Sequence, residues 1–68
     1  MKLKNHIEEL IKSRGLKKSF IAGKLEVSVK QFRNYETGYS LMPLDKAFEL
    51  AKILGVKVDD LYEDNDSD

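Results

Sequence analysis

Apolar residues recur along this chain three and four positions apart almost from end to end, the spacing of amphipathic helices. Leu3, Ile7, Leu10 and Ile11 fall on one helical face. Asn5 is placed to cap that first helix, with Glu8 three residues later as in a capping box. Glu8 and Glu9 suit its first turn, Lys12 and Arg14 its last, and Gly15 stops it. A second helix is predicted from about Lys18 to Leu25, with Ile21, Ala22 and Leu25 inward. Glu26-Val27 then makes a turn, and Ser28 caps a third helix running from Val29 to about Thr37. Phe32 and Tyr35 share its inner face, and Gly38 ends it. After a loop from Tyr39 to Met42, Pro43 fits the first turn of a fourth helix. Leu44, Ala47, Phe48, Leu50, Ala51 and Leu54 form its broad apolar stripe, and Gly55 stops it. A short fifth helix is expected over roughly Val58 to Glu63, with Val58, Leu61 and Tyr62 available for packing. The expected fold is therefore all-α, a compact five-helix domain over residues 1–63, followed by an acidic tail without fixed structure over residues 64–68.

Length and composition narrow the picture. Sixty-eight residues suffice for one domain, and a core this small is marginal unless the chain self-associates. With no cysteine, disulfides and thiolate zinc sites are excluded, which agrees with a reducing compartment. The apolar runs are too short to span a membrane, and Met1-Lys2-Leu3-Lys4 lacks a signal-peptide core, so a cytoplasmic protein is expected. Net charge is zero, but it is unevenly distributed. Residues 1–34 carry Lys2, Lys4, Lys12, Arg14, Lys17, Lys18, Lys24, Lys30 and Arg33 against Glu8, Glu9 and Glu26, a balance of +6. Residues 35–68 carry three lysines against nine acids, a balance of −6. A basic half can dock on phosphate while an acidic half faces away. The same split also fits two solvated faces and an acidic tail.

Two short helices joined by a tight turn, the second capped by serine, form the pattern of a helix-turn-helix. With Phe32 and Tyr35 holding the third helix, its opposite face can enter a DNA major groove. That face presents Val29, Lys30, Arg33 and Asn34, with Gln31 at its flank. Lysine and arginine donate to guanine O6 and N7, asparagine pairs with adenine, and valine can touch a thymine methyl.

Residues 7–62, about four-fifths of the chain, resemble the lambda-repressor-like helix-turn-helix domain, also called the Cro/cI or xenobiotic-response-element (XRE) family. The resemblance is carried by Ile7, Leu10, Arg14-Gly15-Leu16, Ile21-Ala22, Leu25, Val27-Ser28, Tyr35-Glu36-Thr37-Gly38, Leu44, Ala47, Leu50-Ala51, Leu54-Gly55-Val56, Asp60 and Leu61. Each is weak alone; in this order and spacing the set is highly specific. It implies that the third helix is the recognition helix, with Val29 and Lys30 on base edges and Asn34 one turn further on. It also implies phosphate contacts from Lys17 and Lys18 at the start of the second helix and from the loop around Thr37, Tyr39 and Ser40. Gln31 is a further phosphate candidate, and Arg33 is left between a base and a phosphate. Several positions depart from the family pattern. Lys17 and Lys18 stand where Ser or Thr and then Gln are common, with Ser19 as an alternative cap. Glu26 occupies a turn position where glycine is common, and positive φ is costlier for it. Phe20 stands at a usually polar position, Ile11 at an often charged one, Thr37 where asparagine is frequent, and Lys57 at the cap of the fifth helix.

Phe20 is expected to tuck partly against the first helix near Ile11, the alternative being contact with a partner or a DNA sugar. Tyr39 either donates to a phosphate or covers the core. His6, the single histidine, is expected at the surface near the start of the first helix. No serine has a plausible histidine–acid pairing, no glycine-rich phosphate loop is present, and the acidic tail lacks calcium-loop spacing. A non-enzyme without cofactor or metal is therefore expected. The leading reading is a bacterial or phage transcription regulator, most simply a repressor, binding a pseudo-palindromic duplex operator as a homodimer. Leu41, Met42, Phe48 and Tyr62 are candidates for the self-contact. The rival is a protein-binding adaptor on the same fold, an antitoxin or antirepressor-like module, for which zero net charge, Phe20 and Val29 speak.

Overall fold

In the computed structural model, which describes residues 3–64, five helices follow one another along the chain. They are α1 (Ile7–Arg14), α2 (Lys18–Leu25), α3 (Val29–Thr37), α4 (Leu44–Leu54) and α5 (Val58–Leu61). The all-α architecture expected from the periodicity is present. The inward residues of every helix meet in one core: Ile7 and Ile11 from α1, Ile21, Ala22 and Leu25 from α2, and Phe32 and Tyr35 from α3. Met42 from the loop, Ala47, Leu50, Ala51 and Leu54 from α4, and Leu61 from α5 complete it. Helix α2 packs on α3 and α4, and α1 also packs on α3 and α4, so α3 is gripped along one side only.

The ends of the domain differ from the periodic reading. Residues Leu3–Asn5 form a strand, β1, which pairs antiparallel with β2 (Tyr62–Asp64). The register sets Leu3 opposite Asp64, Lys4 opposite Glu63 and Asn5 opposite Tyr62, and the His6 N–H continues the ladder to the Leu61 carbonyl at 2.9 Å. Leu3 is accordingly exposed on a strand and does not extend the face of α1. The pairing also shortens α5, which was expected to reach Glu63 but stops at Leu61, where Tyr62 turns extended (φ −132°, ψ 138°). Asp64, counted with the tail in the sequence reading, is the last residue of β2; residues 65–68 lie outside the described residues.

Extended pairing moves the start of α1 as well. The cap position falls on His6, and Asn5 acts one residue earlier than expected. Its Oδ1 accepts from the Ile7 N–H at 2.8 Å, and its Nδ2 donates to the Tyr35 carbonyl at 2.6 Å. Glu8 forms no capping box and instead lies 3.8 Å from Lys12 one turn on.

Helix α4 shows the other large difference. Pro43 sits at its cap (φ −57°, ψ 150°), one position ahead of the expected first turn, and only part of the stripe is buried. Leu44 and Phe48 point to solvent. The apolar stripe is wider than the single face that α1, α2 and α5 cover, so its outer edge is left over.

Candidate nucleic-acid interface

Helix α3 begins at Ser28, whose backbone is extended (φ −72°, ψ 158°) and whose Oγ accepts from the Gln31 N–H at 3.0 Å. This is the serine cap expected from the sequence, and it satisfies one of the donors a helix start leaves unpaired. Nine residues give a rod about 13 Å long, comparable to the width of a B-DNA major groove. Successive side chains step about 100° around the axis, which sorts them into two arcs. Phe32, Tyr35 and Glu36 fall on the buried arc. Val29, Lys30, Arg33, Asn34 and Thr37 fall on the outer one, and Gln31 lies at its edge. Of these, Val29, Lys30, Arg33 and Thr37 are exposed, and Gln31 and Asn34 are half-buried. Among the described residues no hydrogen bond or ion pair engages the side chains of Lys30, Arg33 or Asn34. Their donors are available to a ligand.

The exit from α3 is tied back to the helix. Gly38 takes a left-handed backbone (φ 85°), which an alanine there would hold only with strain. The Ser40 N–H and the Thr37 hydroxyl both donate to the Asn34 carbonyl, at 3.2 and 3.3 Å. Tyr39 is 83% exposed and does not cover the core.

The turn between α2 and α3 is made by Glu26 in a left-handed conformation (φ 59°), with Val27 N–H reaching the Ala22 carbonyl at 3.0 Å. The sequence marks this as a costly place for a side chain, and the backbone adopts it regardless. At the other end of α2, Lys17 stands at the cap with no side-chain cap bond, and Ser19 does not replace it, being inside the helix. Lys17 is exposed. Lys18 is half-buried, and its Nζ lies 3.1 Å from Glu36 Oε1.

Glu36 escaped the sequence reading as anything but a family marker. Its side chain is buried, and its second carboxylate oxygen has no partner among the described residues. Buried carboxylates are rare unless paired, and here the cation comes from the neighbouring helix. A glutamate next to the buried Tyr35, on the arc of Phe32, was the available signal. The lysine that answers it could not be found without the packing of α2 on α3.

Phe20 does not tuck away as expected. It is half-exposed, with the Lys24 ammonium 5.6 Å from its ring centroid, while Ile11 is buried in the core. The exposed aromatic and Lys24 make a cation–π pair on the outside of α2.

His6 stands at the start of α1, where the sequence placed it, and meets two acids that the sequence did not name. Its Nε2 is 2.9 Å from Glu63 and its Nδ1 is 3.5 Å from Glu9. The hydrogen bond to Glu63 raises its pKa above the ordinary 6.5, and Glu9 adds to the effect against partial desolvation. A shallow hollow of about 390 Å³ lies beside it, lined by His6, Glu9, Leu10, Ser13, Val56 and Asp60. Both ring nitrogens face carboxylates, so neither is free to take a proton from Ser13, and the acids make the hollow unsuited to an anion. Among the described residues no group of His, Cys, Asp or Glu could hold a metal ion.

A helix-turn-helix family model matches residues 7–61. The chain belongs to that family, the Cro/cI-like, XRE-type helix-turn-helix proteins. It is a DNA-binding protein of the regulatory kind, and its partner is double-stranded DNA. The family is not typically enzymatic. No curated protein matches the sequence. Among the described residues no helix is long and apolar enough to cross a membrane.

Proposed function

We propose that the chain is a sequence-specific transcriptional repressor, acting in the cytoplasm of a bacterium or in a phage-infected cell, that reads the major groove with α3. Val29, Lys30, Arg33 and Asn34 face base edges. Lys17, Lys18, Gln31, Thr37, Tyr39 and Ser40 line the phosphates on either side. The functional unit spans residues 1–63, and two copies bind a pseudo-palindromic operator whose half-sites lie about one helical turn apart.

The single observation that carries this reading is the division of α3. Its inner arc is locked by Phe32, Tyr35 and the Glu36–Lys18 pair, while no hydrogen bond or ion pair among the described residues holds the side chains of Lys30, Arg33 and Asn34 on its outer arc. Rigid support behind a set of available donors is what base reading requires, because specificity depends on holding those donors in one geometry.

Random-site selection with the purified chain supplies a duplex, and anisotropy titrations across salt concentration test the reading. Affinity is expected to fall steeply as salt rises, through counterion release, and Lys17→Ala to flatten the log–log slope by about one. Asn34→Ala is expected to relax preference at one base pair by about 1–3 kcal/mol. Binding indifferent to salt, or selection that returns no preferred sequence, rejects the proposal. The half-exposed Phe20 under Lys24 favours a second reading, a protein-binding adaptor on the same fold. That reading gains if Phe20→Ala abolishes a protein complex while the α3 substitutions leave DNA binding unchanged.

A further inference from the structure

An α-helix leaves its last four carbonyls without partners inside it, so the groups that answer them decide how that end is held. On α3 these carbonyls belong to Asn34, Tyr35, Glu36 and Thr37. Asn34 is answered locally, by the Ser40 N–H and the Thr37 hydroxyl. Tyr35 has a long local bond, from the Gly38 N–H at 3.4 Å, and a short one from a residue 30 positions earlier, Asn5 Nδ2 at 2.6 Å. A helix-turn-helix family model matches from residue 7 onward, so this second tie comes from outside the matched segment.

Asn5 is held in one pose. A primary amide offers an acceptor on one side and donors on the other. The acceptor Oδ1 is taken by the Ile7 N–H at 2.8 Å, which leaves the nitrogen facing Tyr35, and only this sense of the amide satisfies both neighbours. The backbone of Asn5 is fixed as well, because it is the last residue of β1 and lies opposite Tyr62 of β2. Tyr62 is half-buried with its hydroxyl enclosed, so the ribbon is anchored on that side. The ribbon thus delivers one directional donor to the exit of α3. The other ties near that exit are softer. Lys18 reaches Glu36 through a flexible four-carbon stem that can follow the helix. Phe32 and Tyr35 set the depth of α3 in the core by apolar contact, which has no direction.

We propose that Asn5 is a positioning residue for base reading: through the Tyr35 carbonyl it fixes the C-terminal half of α3, and with it the direction of Asn34, without touching DNA itself. This rests on the reading of α3 given above and adds to it a residue from another element. Tyr35 directly follows Asn34, whereas Val29 lies about 9 Å away along the axis, at the end held by the Ser28 cap, with Lys30 beside it. Loss of the Asn5 bond therefore acts at one end of the recognition surface and not across it. Hydrogen bonds to a base weaken steeply with misalignment, so a small swing at that end is read as lost discrimination at one base pair.

Asn5→Ser in the full chain tests the proposal. Serine keeps an oxygen for the Ile7 N–H but is too short to reach Tyr35. The duplex returned by random-site selection is changed one base pair at a time, and each chain is titrated by anisotropy at a temperature where circular dichroism shows it fully folded. Asn34→Ala and Lys30→Ala identify the base pairs that those two side chains read. Asn5→Ser is expected to cut discrimination at the Asn34 base pair at least about fivefold, and at the Lys30 base pair by less than about twofold. Asn5→Asp, which also keeps the acceptor and lacks the donor, is expected to give the same pattern. Val56→Ala, which trims a half-buried side chain packed on the core, is expected to lower the melting temperature and leave the profile as in wild type. An Asn5→Ser profile that matches wild type, or one flattened equally at every base pair, overturns the positioning role and leaves the DNA reading standing. A wild-type chain without a preferred sequence, or Asn34→Ala without a relaxed base pair, overturns the base reading itself and this proposal with it.

Discussion

Lys18→Ala isolates the contact on which the placement of α3 most depends. The Glu36 side chain is 2% exposed, one of its oxygens 3.1 Å from Lys18 Nζ and the other without a partner among the described residues. Removing the lysine strands a carboxylate in the core. Breaking a fully buried ion pair costs about 3–5 kcal/mol, because the remaining charge is uncompensated. Lys18 is itself 39% exposed, so water already screens part of the attraction and can reach part of the vacated space. The expected loss is therefore about 2 kcal/mol, which for a domain of this size lowers the melting temperature by about 8–16 °C. Urea denaturation followed by circular dichroism gives the number directly. The decisive comparison is with Glu36→Gln, which keeps the shape and removes the charge. In the double variant Lys18→Ala with Glu36→Gln the stranded charge is gone, so its loss is expected to fall short of the sum of the single losses by at least about 1 kcal/mol. A Lys18→Ala loss below about 0.5 kcal/mol, or strict additivity, would falsify the reasoning, for it would mean that Glu36 finds water or another donor.

The other predictions concern the turn, the middle of α2 and the joined termini. Glu26→Gly is expected to stabilise by about 0.5–1 kcal/mol, since glycine holds φ near 60° without the steric cost but enlarges the unfolded ensemble; a lower urea midpoint would contradict this. Gly23→Ala is expected to add about 0.5–1 kcal/mol, because Gly23 is inside a helix and a methyl group there meets no atom within 4 Å. His6 makes stability depend on pH in a defined direction. Its folded pKa is raised, chiefly by Glu63, so the stabilisation is fully present below the unfolded value of 6.5 and is lost as pH rises through the raised folded value. Nuclear magnetic resonance titration of the His6 ring should give a midpoint above 6.5, and His6→Gln should flatten the stability profile in that window; a midpoint below 6.5 refutes the clasp.

What the sequence made legible was set by local rules. The boundaries of α3 follow from apolar spacing, a serine cap and a glycine stop, and those of α2 from apolar spacing, all of which act within a few residues, and both helices appear in place. The outer arc of α3 follows by subtraction once Phe32 and Tyr35 are assigned inward. The parts that were missed depend on partners distant along the chain. Leu3 and Asn5 fit a helical period, and only the proximity of Tyr62–Asp64, some 60 residues away, turns that segment into a strand. Tyr62 and Glu63 continue the period of α5 equally well, and the same pairing ends it early. Lys18 read as a free cation because its answering acid is 18 positions away on another helix. Phe48 stays between core and self-contact in the sequence, because periodicity gives the width of an apolar stripe but not how much of it neighbouring helices cover.

Those distant contacts converge on one element. Helix α3 is tied at its start by Ser28, along its back by Phe32 and Tyr35, near its end by Glu36 to α2, and at the Tyr35 carbonyl by Asn5 from the N-terminal strand. The ties come from the segment before it, from the core, from α2 and from β1, so its orientation is a property of the whole domain. None of them uses a side chain of the outer arc. On the proposed reading, stability and recognition then fall on opposite sides of the same nine residues. Exchanging Lys30, Arg33 or Asn34 is expected to change what the helix can meet and leave its ties intact, whereas exchanging Glu36 or Asn5 removes a tie and leaves the identity of the outer side chains as it is. On that reading, a recognition surface built this way can acquire a new target sequence by substitution on the outer arc alone, because the side chains that hold α3 are not the ones that would meet the bases.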